Sequence, residues 1–359
     1  MSKQEIRKIY RTALKEDFPQ SLRLELGGKI FEYSKVHWTI GGEDRGLRYG
    51  TNPHQKAALY KAKHSHGGIG SVDWVKWGKD GPSATNIEDG SHGLRIIGYF
   101  DEPAVAVMKH LNPSGVSVGN REEGLSSVYG RARDADPRAA FGSVVVFNRR
   151  VDRLTAEELL KTFVEVVYAP EYDEAAISVF QSKKDIRLGK IPSHDHDSNS
   201  PDVVVLDDGS MILEDSYRTG LRSLGQLKTL PVATKRTPSE AEYRALLHSW
   251  WVACEVRSNA VVFWKNDVSL AIGTGQQDRI GAIESSIERA HKFGHDLKNS
   301  VMASDGFLPK MDNVEAIAKE GVTAIVQPGG SVEDRELVSA CDRCGISMIM
   351  TGERAFRHF

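Results

Sequence analysis

Short apolar runs alternate with amphipathic stretches along most of the chain. Three runs in the first half have the length of buried strands: residues 95–100, 104–108 and 144–147. A helix is predicted from an N-cap at Thr155, with Glu158 three residues later, to about residue 168, and a second over residues 174–184. The first half is therefore predicted to mix strands with helices.

The second half repeats this alternation. A helix is predicted over residues 239–256, and residues 259–273 have the pattern of a β-hairpin that turns at Asn266 and Asp267. Three helices and two strands are predicted beyond it: helices 279–293, 313–320 and 333–343, and strands 323–326 and 346–350. Strands that alternate with helices favour an α/β fold with mostly parallel sheets.

A polar stretch over residues 189–201 marks the middle of the chain. It contains two prolines and has no hydrophobic periodicity, which predicts a loop with a domain boundary near it or just beyond. We expect a charged N-terminal segment over residues 1–45, helical and then extended, followed by subdomains over residues 46–205 and 206–359.

Composition excludes several classes of protein. The 359 residues are 40% hydrophobic and 27% charged, as in ordinary globular proteins. A formal net charge of -2 gives no overall attraction to nucleic acid or anionic membranes. The sequence has no apolar run of ~18 residues, the N-terminus has no apolar signal region, and three cysteines make no disulfide framework. These features lead us to expect a cytoplasmic protein.

Polar residues at predicted strand ends are the first candidates for chemistry, because ligands of parallel α/β sheets bind beyond the carboxyl ends of the strands. Residues 104–108 are followed by Lys109 and His110, and then by an Asn-Pro-Ser-Gly sequence expected to form a rigid turn. A histidine can act as a general base, and a neighbouring lysine adds fixed positive charge. A capping histidine beside a solvated lysine is the alternative, and the sequence leaves both open.

Two glycine-rich turns also follow predicted strands. In Gln-Pro-Gly-Gly-Ser, residues 327–331, backbone N–H groups can hold a phosphate, but Glu333 and Asp334 in the next helical turn would repel one. Residues 273–278, Gly-Thr-Gly-Gln-Gln-Asp, lack the third glycine of a dinucleotide fingerprint, which argues against NAD binding. Gln276 and Gln277 can still contact a polar heterocycle through their amides.

No metal site is expected from the cysteine and histidine pattern. Cys341 and Cys344 form a single CxxC without a second pair, so we interpret it as structural. The His-Asp-His-Asp run over residues 194–197 is interpreted as a solvated loop. The His-x-Glu and Pro-Cys-x-x-Cys motifs of zinc deaminases and the Gly-x-Ser-x-Gly of hydrolases do not occur.

Seven motifs along residues 45–358 carry a resemblance to a known family. They are residues 47–55 (LRYGTNPHQ), 109–115 (KHLNPSG), 136–142 (DPRAAFG), 258–260 (SNA), 273–277 (GTGQQ), 303–309 (ASDGFLP) and 354–358 (RAFRH). In this order they resemble the transformylase domain of the bifunctional purine biosynthesis enzyme that also carries IMP cyclohydrolase. That domain formylates aminoimidazole carboxamide ribonucleotide (AICAR).

The resemblance implies a fold, an assembly and a pathway context. The fold is two cytidine-deaminase-like α/β/α subdomains without zinc. The assembly is a homodimer whose active sites form between subunits, with no nucleic acid or membrane partner. No cyclohydrolase domain precedes residue 45, so we expect a stand-alone transformylase and a separate IMP cyclohydrolase that closes the ring.

The resemblance also implies a reaction and its residues. The 5-amino group of AICAR attacks the formyl carbon of the co-substrate 10-formyltetrahydrofolate, and a monovalent cation such as potassium is an additional expected ligand. The implied catalytic residues are His110 as proton acceptor, with Lys109 and Asn259 on the oxyanion or formyl group. The implied substrate-binding residues are Arg48, Tyr49, Asp136, Gln276, Gln277, Asp312, Arg354 and His358, of which Arg48 and Arg354 bind the phosphate.

Four positions depart from the family pattern. Lys310 stands where the family usually has an aromatic residue near the nucleotide; the others are Leu308 for Phe, Ser114 for Cys and an additional Phe359. These departures leave two alternatives beside the AICAR transformylase. One is a non-catalytic sensor of AICAR or folate, and the other is a formyltransferase that acts on a related aminated nucleotide.

Overall fold

A computed structural model describes residues 12–63, 65, 67–120, 122–192 and 201–358 of the chain. It divides into two compact units, Met1–His194 and Asp195–Phe359. Each unit is built on a mixed β-sheet with helices packed against it. The predicted α/β class is therefore confirmed.

The first unit begins with small β-structures. Their strands are β1 (Ser21–Leu26), β2 (Lys29–Lys35), β3 (Trp38–Ile40), β4 (Glu43–Arg45) and β5 (Tyr60–Ala62). Strands β1, β2 and β5 form an antiparallel sheet, and β3 pairs with β4. The described part of the N-terminal segment, from residue 12 to 45, contains no helix.

The main sheet of the first unit has the order β8-β7-β9-β10-β11-β6. Its strands are β6 (Asp73–Lys76), β7 (Ala104–Lys109), β8 (Asn112–Val118), β9 (Ser143–Phe147), β10 (Val164–Ala169) and β11 (Arg187–Lys190), and its helices are α1 (Ala84–Ile97), α2 (Leu125–Ala135), α3 (Arg153–Leu159) and α4 (Glu174–Phe180). Strand β10 is parallel to β9 and β11, whereas β7 is antiparallel to both β8 and β9. Helices α2, α3 and α4 cover one face with an apolar core, and α1 packs on the other.

The second unit has a sheet in the order β18-β17-β16-β14-β15 and a separate two-stranded ribbon. The ribbon is β12 (Asp202–Val205) and β13 (Met211–Glu214); the sheet strands are β14 (Val261–Lys265), β15 (Val268–Gly273), β16 (Val301–Ser304), β17 (Ala324–Gln327) and β18 (Ser347–Met350). The helices are α5 (Leu224–Thr229), α6 (Glu240–Ala253), α7 (Arg279–Lys292), α8 (Met311–Lys319) and α9 (Asp334–Cys344). Strand β17 is parallel to its two neighbours, and β14 is antiparallel to both of its own.

Most elements predicted for the second half are confirmed. Ser239 caps α6 through a capping box with Glu242. Asn266 and Asp267 turn the β14–β15 hairpin at φ 50° and 61°, as a two-residue turn with the twist of the strands requires. The prediction of mostly parallel sheets is wrong, because two-residue hairpin turns join only antiparallel strands. Both main sheets are mixed.

Three predictions for the first half are also wrong. Residues 95–97 end helix α1, whose start is fixed by a capping box between Ser83 and Asn86. The helix predicted from Thr155 begins at Arg153, because Asp152 is the N-cap and accepts the Thr155 N–H at 2.8 Å. It ends at Leu159, and the β-branched residues that follow form β10, as their strand propensity favours. The Asn-Pro-Ser-Gly sequence lies in strand β8 and is not a turn.

Candidate active site

Lys109 is the last residue of β7 and lies beside the start of β9. It is not at an edge where the carboxyl ends of parallel strands meet. Because β7 is antiparallel to β9, its end lies beside residues 141–143. The Lys109 ammonium donates to the Phe141 carbonyl at 3.1 Å and to the Gly142 carbonyl at 2.5 Å. The expectation that Lys109 stands at an edge shared by parallel strands is therefore wrong, and its catalytic role stays a prediction.

His110 and Leu111 form the two-residue turn between β7 and β8. Their φ angles are 52° and 68°, in the left-handed region that glycine or asparagine usually occupies. The Leu111 N–H donates to Oδ1 of Asp89 at 2.6 Å, and the Asn112 side chain donates to the His110 carbonyl at 3.1 Å. The imidazole of His110 is exposed, as a proton acceptor for an incoming substrate must be.

Arg48 and Tyr49 lie next to each other at the N-terminal end of α1. The Arg48 guanidinium is buried, stacks over the Tyr49 ring at 4.5 Å and donates to the Tyr49 hydroxyl at 3.0 Å. Its Nε has no hydrogen-bond partner among the described residues. A buried guanidinium that uses so little of its donor capacity is suited to an anion.

Arg187 is a second buried guanidinium in the first unit, which the sequence did not indicate. It donates to the carbonyls of Gly81 at 2.6 Å and Lys79 at 2.7 Å. Burial, together with the charge of Arg48, lowers the pKa of Arg187 to about 10. Two cations in a desolvated region favour binding of a negative group there.

Asp136 is buried at the end of α2. Its Oδ1 accepts the Ala139 N–H at 2.9 Å, and its carbonyl accepts the Ala140 N–H at 3.0 Å. These bonds shape the turn that leads to Phe141 and Gly142, the residues that hold Lys109. Direct contact of Asp136 with a substrate remains a prediction.

In the second unit the carboxyl ends of four strands share one edge of the sheet. Because β14 runs against its neighbours, β15, β16, β17 and β18 all end at the edge where β14 begins. The predicted residues Asn259, Gln276 and Gln277 belong to this edge, as do the segments that contain Asp312 and Arg354. Five chain segments of the second unit, which are the start of β14 and the ends of β15, β16, β17 and β18, thus meet at one edge.

Asn259 is held firmly at this edge. Its side-chain Nδ2 donates to the Gln276 carbonyl at 2.8 Å, and its Oδ1 accepts from Arg279 at 2.7 Å. Since an arginine can only donate, this bond identifies the oxygen of the Asn259 amide. One N–H of that amide is left over from these two bonds and can donate to an oxyanion.

Arg279 and Asp305 form a buried ion pair beneath Asn259. Their atoms are 2.5 Å apart, and the side chains are 4% and 0% exposed. Asp305 also accepts the Ala260 N–H at 3.0 Å and the Ser258 hydroxyl. The sequence did not indicate a role for either residue, although Arg279 follows the Gly-Thr-Gly-Gln-Gln-Asp motif directly and Asp305 lies within Ala-Ser-Asp-Gly.

Glu353 and Arg357, which are next to the predicted ligands Arg354 and His358, anchor the C-terminal residues. Glu353 accepts from the hydroxyls of Tyr217 at 2.7 Å and Thr219 at 3.0 Å, and Arg357 pairs with Glu255 at 3.0 Å. Between these anchors the Arg354 guanidinium is exposed over the ring of Phe356 at 4.7 Å. This arrangement presents Arg354 to solvent, as a phosphate ligand requires.

The remaining predicted residues of the second unit are accessible. Gln277, Asp312 and His358 are exposed, and Gln276 is partly buried. Asp312 lies in the first turn of α8 and accepts from Asn313 at 2.5 Å, while Lys310 is the exposed N-cap of the same helix. His358 contacts the ring of Phe356 at 6.0 Å between centroids.

The contacts in two further motifs favour their structural interpretation. In the Gln-Pro-Gly-Gly-Ser turn, Asp334 itself accepts the Gly330 N–H at 2.8 Å, which favours the structural interpretation. Cys341 is buried on α9, and burial raises its thiol pKa to about 12. The His-Asp-His-Asp run lies outside the described residues. Elsewhere in the described chain no group of three His, Cys, Asp or Glu could hold a metal, and no helix is long and apolar enough to cross a membrane.

Comparison with known proteins gives one family. A family model described as the AICARFT/IMPCHase bienzyme matches residues 9–289. The bifunctional purine biosynthesis protein PurH of Bacillus cereus (strain B4264) is 40% identical over 314 residues, and PurH of Caldicellulosiruptor saccharolyticus is 41% identical over 315. Each match covers 87% of this chain and 59% of the relative, so the chain spans well under two thirds of the relatives' length.

Proposed function

Because this chain belongs to the AICARFT/IMPCHase bienzyme family, we propose that it is an AICAR formyltransferase. It transfers the formyl group of 10-formyltetrahydrofolate to the 5-amino group of AICAR and gives the formylated nucleotide, FAICAR, for purine synthesis. One observation carries the proposal: the family match runs from residue 9 to 289 and includes Lys109, His110 and Asn259. His110 is exposed, and the Lys109 ammonium and the Asn259 amide each have an N–H beyond those used in their bonds within the chain.

The first unit supplies a base and an anion site. His110 is proposed to take the proton of the attacking amine, with the ammonium of Lys109 beside it. The phosphate of AICAR is assigned to Arg48, whose buried Nε has no hydrogen-bond partner in the described chain. The second buried arginine, Arg187, adds positive charge to the same region, and Tyr49 shares the Arg48 contact.

The second unit supplies an oxyanion donor. When the amine nitrogen bonds to the formyl carbon, the carbonyl oxygen gains negative charge, which Asn259 is proposed to stabilise. One such donor contributes about 3 kcal/mol to transition-state binding. The intermediate then breaks its bond to N10 of the folate, which takes the proton back from His110. Arg354, Gln276, Gln277, Asp312 and His358 are assigned to substrate binding by resemblance.

A homodimer is part of the proposal, and the ribbon of β12 and β13 supports it. Val203, Val205, Met211 and Leu213 share one face of this ribbon, because 203 pairs with 213 and 205 with 211. All four are between 39% and 66% exposed. Contiguous exposed apolar side chains mark interaction surfaces. A cytoplasmic location and potassium binding remain predictions.

The test is an assay with pure protein, AICAR and 10-formyltetrahydrofolate, in which tetrahydrofolate release is measured. We expect release that depends on AICAR, and His110→Ala should lower kcat by about 10²–10⁴-fold while AICAR binding persists. Arg354→Ala, the companion variant, should mainly raise KM for AICAR. AICAR binding without any release would instead identify a sensor.

A related aminated nucleotide is the second candidate substrate. Lys310 favours it, because a cation replaces the aromatic residue of the family and is exposed at the start of α8. Assays with a panel of aminated nucleotides decide between the two. Release with another nucleotide but not with AICAR would replace the first proposal with this one.

A further inference from the structure

Asp89 is a buried carboxylate on the face of α1 that packs against the sheet. It is 4% exposed, and two of the buried residues near it on that helix are glycines, Gly90 and Gly93. A Cβ at Gly90 would lie 2.4 Å from the ring of Tyr168, and one at Gly93 would lie 2.4 Å from Val146. The helix is therefore as close to the sheet as its backbone allows. An ionised group is unfavourable there unless it has a partner.

The partner of Asp89 is the turn that carries His110. Its Oδ1 accepts the Leu111 N–H at 2.6 Å, which is a short, charge-assisted bond. The turn needs such support, because His110 and Leu111 are both in the left-handed region and neither is glycine. The backbone conformation at His110 sets the direction in which its imidazole leaves the chain.

The charge of Asp89 also acts on Lys109. Burial raises the pKa of Asp89 to about 6, whereas the Leu111 N–H and the charge of Lys109 lower it; the carboxylates of Glu88 and Glu165 act in the opposite direction. The ammonium of Lys109 is thus within electrostatic reach of Asp89. Lys109, through its charge, and His110, through the Leu111 backbone, are therefore both linked to the Asp89 side chain on α1.

We infer that Asp89 is a positioning residue for formyl transfer: through its bond to Leu111 it holds the His110 turn in the conformation that directs the imidazole at the substrate. The inference rests on the proposed function, because it takes His110 as the proton acceptor. Asp89 itself is buried behind the turn and acts on His110 only through the backbone bond to Leu111. The sequence signal is an acidic residue in a helix whose other buried positions, apart from the capping-box Asn86, are glycine or isoleucine.

Two variants separate the hydrogen bond from the charge. Asp89→Leu removes the acceptor, whereas Asp89→Asn keeps an acceptor oxygen and removes the charge. We expect Asp89→Leu to lower kcat by about 10²-fold, the usual effect of a misplaced catalytic group, with KM for AICAR nearly unchanged. Asp89→Asn should stay within about threefold of the wild type, since the acceptor is what holds the turn. Asp101→Asn, at an exposed position before β7, is the matched control.

A spectroscopic measurement reports the turn without catalysis. His110-Leu111 is the only His-Leu pair in the sequence, so labelling of histidine carbonyls with ¹³C and leucine amides with ¹⁵N selects the Leu111 amide. This amide should resonate downfield and exchange slowly in the wild type and in Asp89→Asn. Both properties should be lost in Asp89→Leu.

Three results would overturn the inference: wild-type kcat in Asp89→Leu, a kcat in Asp89→Asn as low as in Asp89→Leu, or an unshifted Leu111 amide in the wild type. If Asp89→Leu does not fold, the inference is overturned instead by an Asp89→Asn variant that is fully active but has lost the Leu111 resonance. A wild-type protein that transfers no formyl group would refute the proposed function instead, and the Leu111 amide would still show whether Asp89 holds the turn.

Discussion

Asp89 has a measurable cost for the fold. Its pKa is about 6 in the folded chain and 3.8 for the free side chain, because burial disfavours the charged form. The folded state therefore holds the proton more tightly than the unfolded state, and the ionised carboxylate lowers the free energy of unfolding. The cost is absent below about pH 4, grows between about pH 4 and 6, and reaches at most about 3 kcal/mol above that range.

We therefore predict that Asp89→Asn is more stable than the wild type at neutral pH. The difference in the free energy of unfolding should appear between about pH 4 and 6 and stay constant above it. Urea unfolding followed by tryptophan fluorescence at several pH values measures this difference. Parallel stability curves for the two proteins would contradict the prediction. Asp101→Asn, which alters an exposed carboxylate of the same unit, is the control.

At the residue scale, the sequence was most informative where a motif stood at a strand end. Lys109 and His110 were named in this way, whereas Asn259 was named only through the family resemblance. Arg279 and Asp305 were missed, because a buried ion pair leaves no periodic signal and its members are 26 residues apart along the chain. Asp89 was missed because its partner, the Leu111 N–H, is a backbone group that no side-chain motif shows.

Glycine has two opposite roles in the helices of the first unit. At Gly93 of α1 a Cβ would lie 2.4 Å from Val146 Cγ2 and 3.1 Å from Met108 Cγ, both in the fully buried sheet. At Gly130 of α2 a Cβ would meet nothing within 4 Å. The first glycine allows close packing, and the second only weakens its helix.

The same substitution should therefore change stability in opposite directions. Gly93→Ala is expected to destabilise the protein by about 1–3 kcal/mol through overpacking, which exceeds the gain in helix propensity. Gly130→Ala should stabilise it by about 0.5–1 kcal/mol, since only propensity changes. Thermal or urea unfolding of the two variants tests this pair. Equal shifts of the same sign would show that the packing of α1 is looser than described.

At the element scale, the sequence predicted where helices and strands occur better than it predicted the direction of the strands. The β14–β15 hairpin was recognised by its Asn-Asp turn, whereas the β7–β8 hairpin was missed, because His-Leu is not a usual pair for a turn with two positive φ angles. Each missed or misplaced turn reverses the direction of a strand. This is why both sheets were expected to be mostly parallel.

The whole molecule is predicted to be a homodimer in solution, with the face of the β12–β13 ribbon covered by a second copy. Light scattering should give a mass near twice 39.7 kDa. Val203→Glu combined with Leu213→Lys places opposite charges at paired positions, so that the ribbon is kept while its face becomes polar. We expect this variant to have the mass of one copy.

Leu154→Lys is the control for the ribbon variant. Leu154 is 63% exposed on α3, away from the ribbon in sequence, and its replacement should leave the mass at two copies. A double ribbon variant that keeps the mass of two copies would exclude this face as the contact. The family match alone would not have selected the surface, because similarity in sequence does not show which apolar side chains stay uncovered.

The setting of Asn259 has a consequence for the order in which the protein matures. The carbonyl of Arg357 accepts the Ser258 N–H at 2.9 Å, and the carbonyl of Asp305 accepts the Ala355 N–H at the same distance. Asp305 in turn fixes Ala260. During synthesis the direct partners of Asn259, Gln276 and Arg279, follow it closely, whereas residues 355–357 leave the ribosome much later. A nascent chain halted before residue 355 would contain every proposed catalytic side chain and still lack the C-terminal bonds to Ser258 and Asp305, on either side of Asn259.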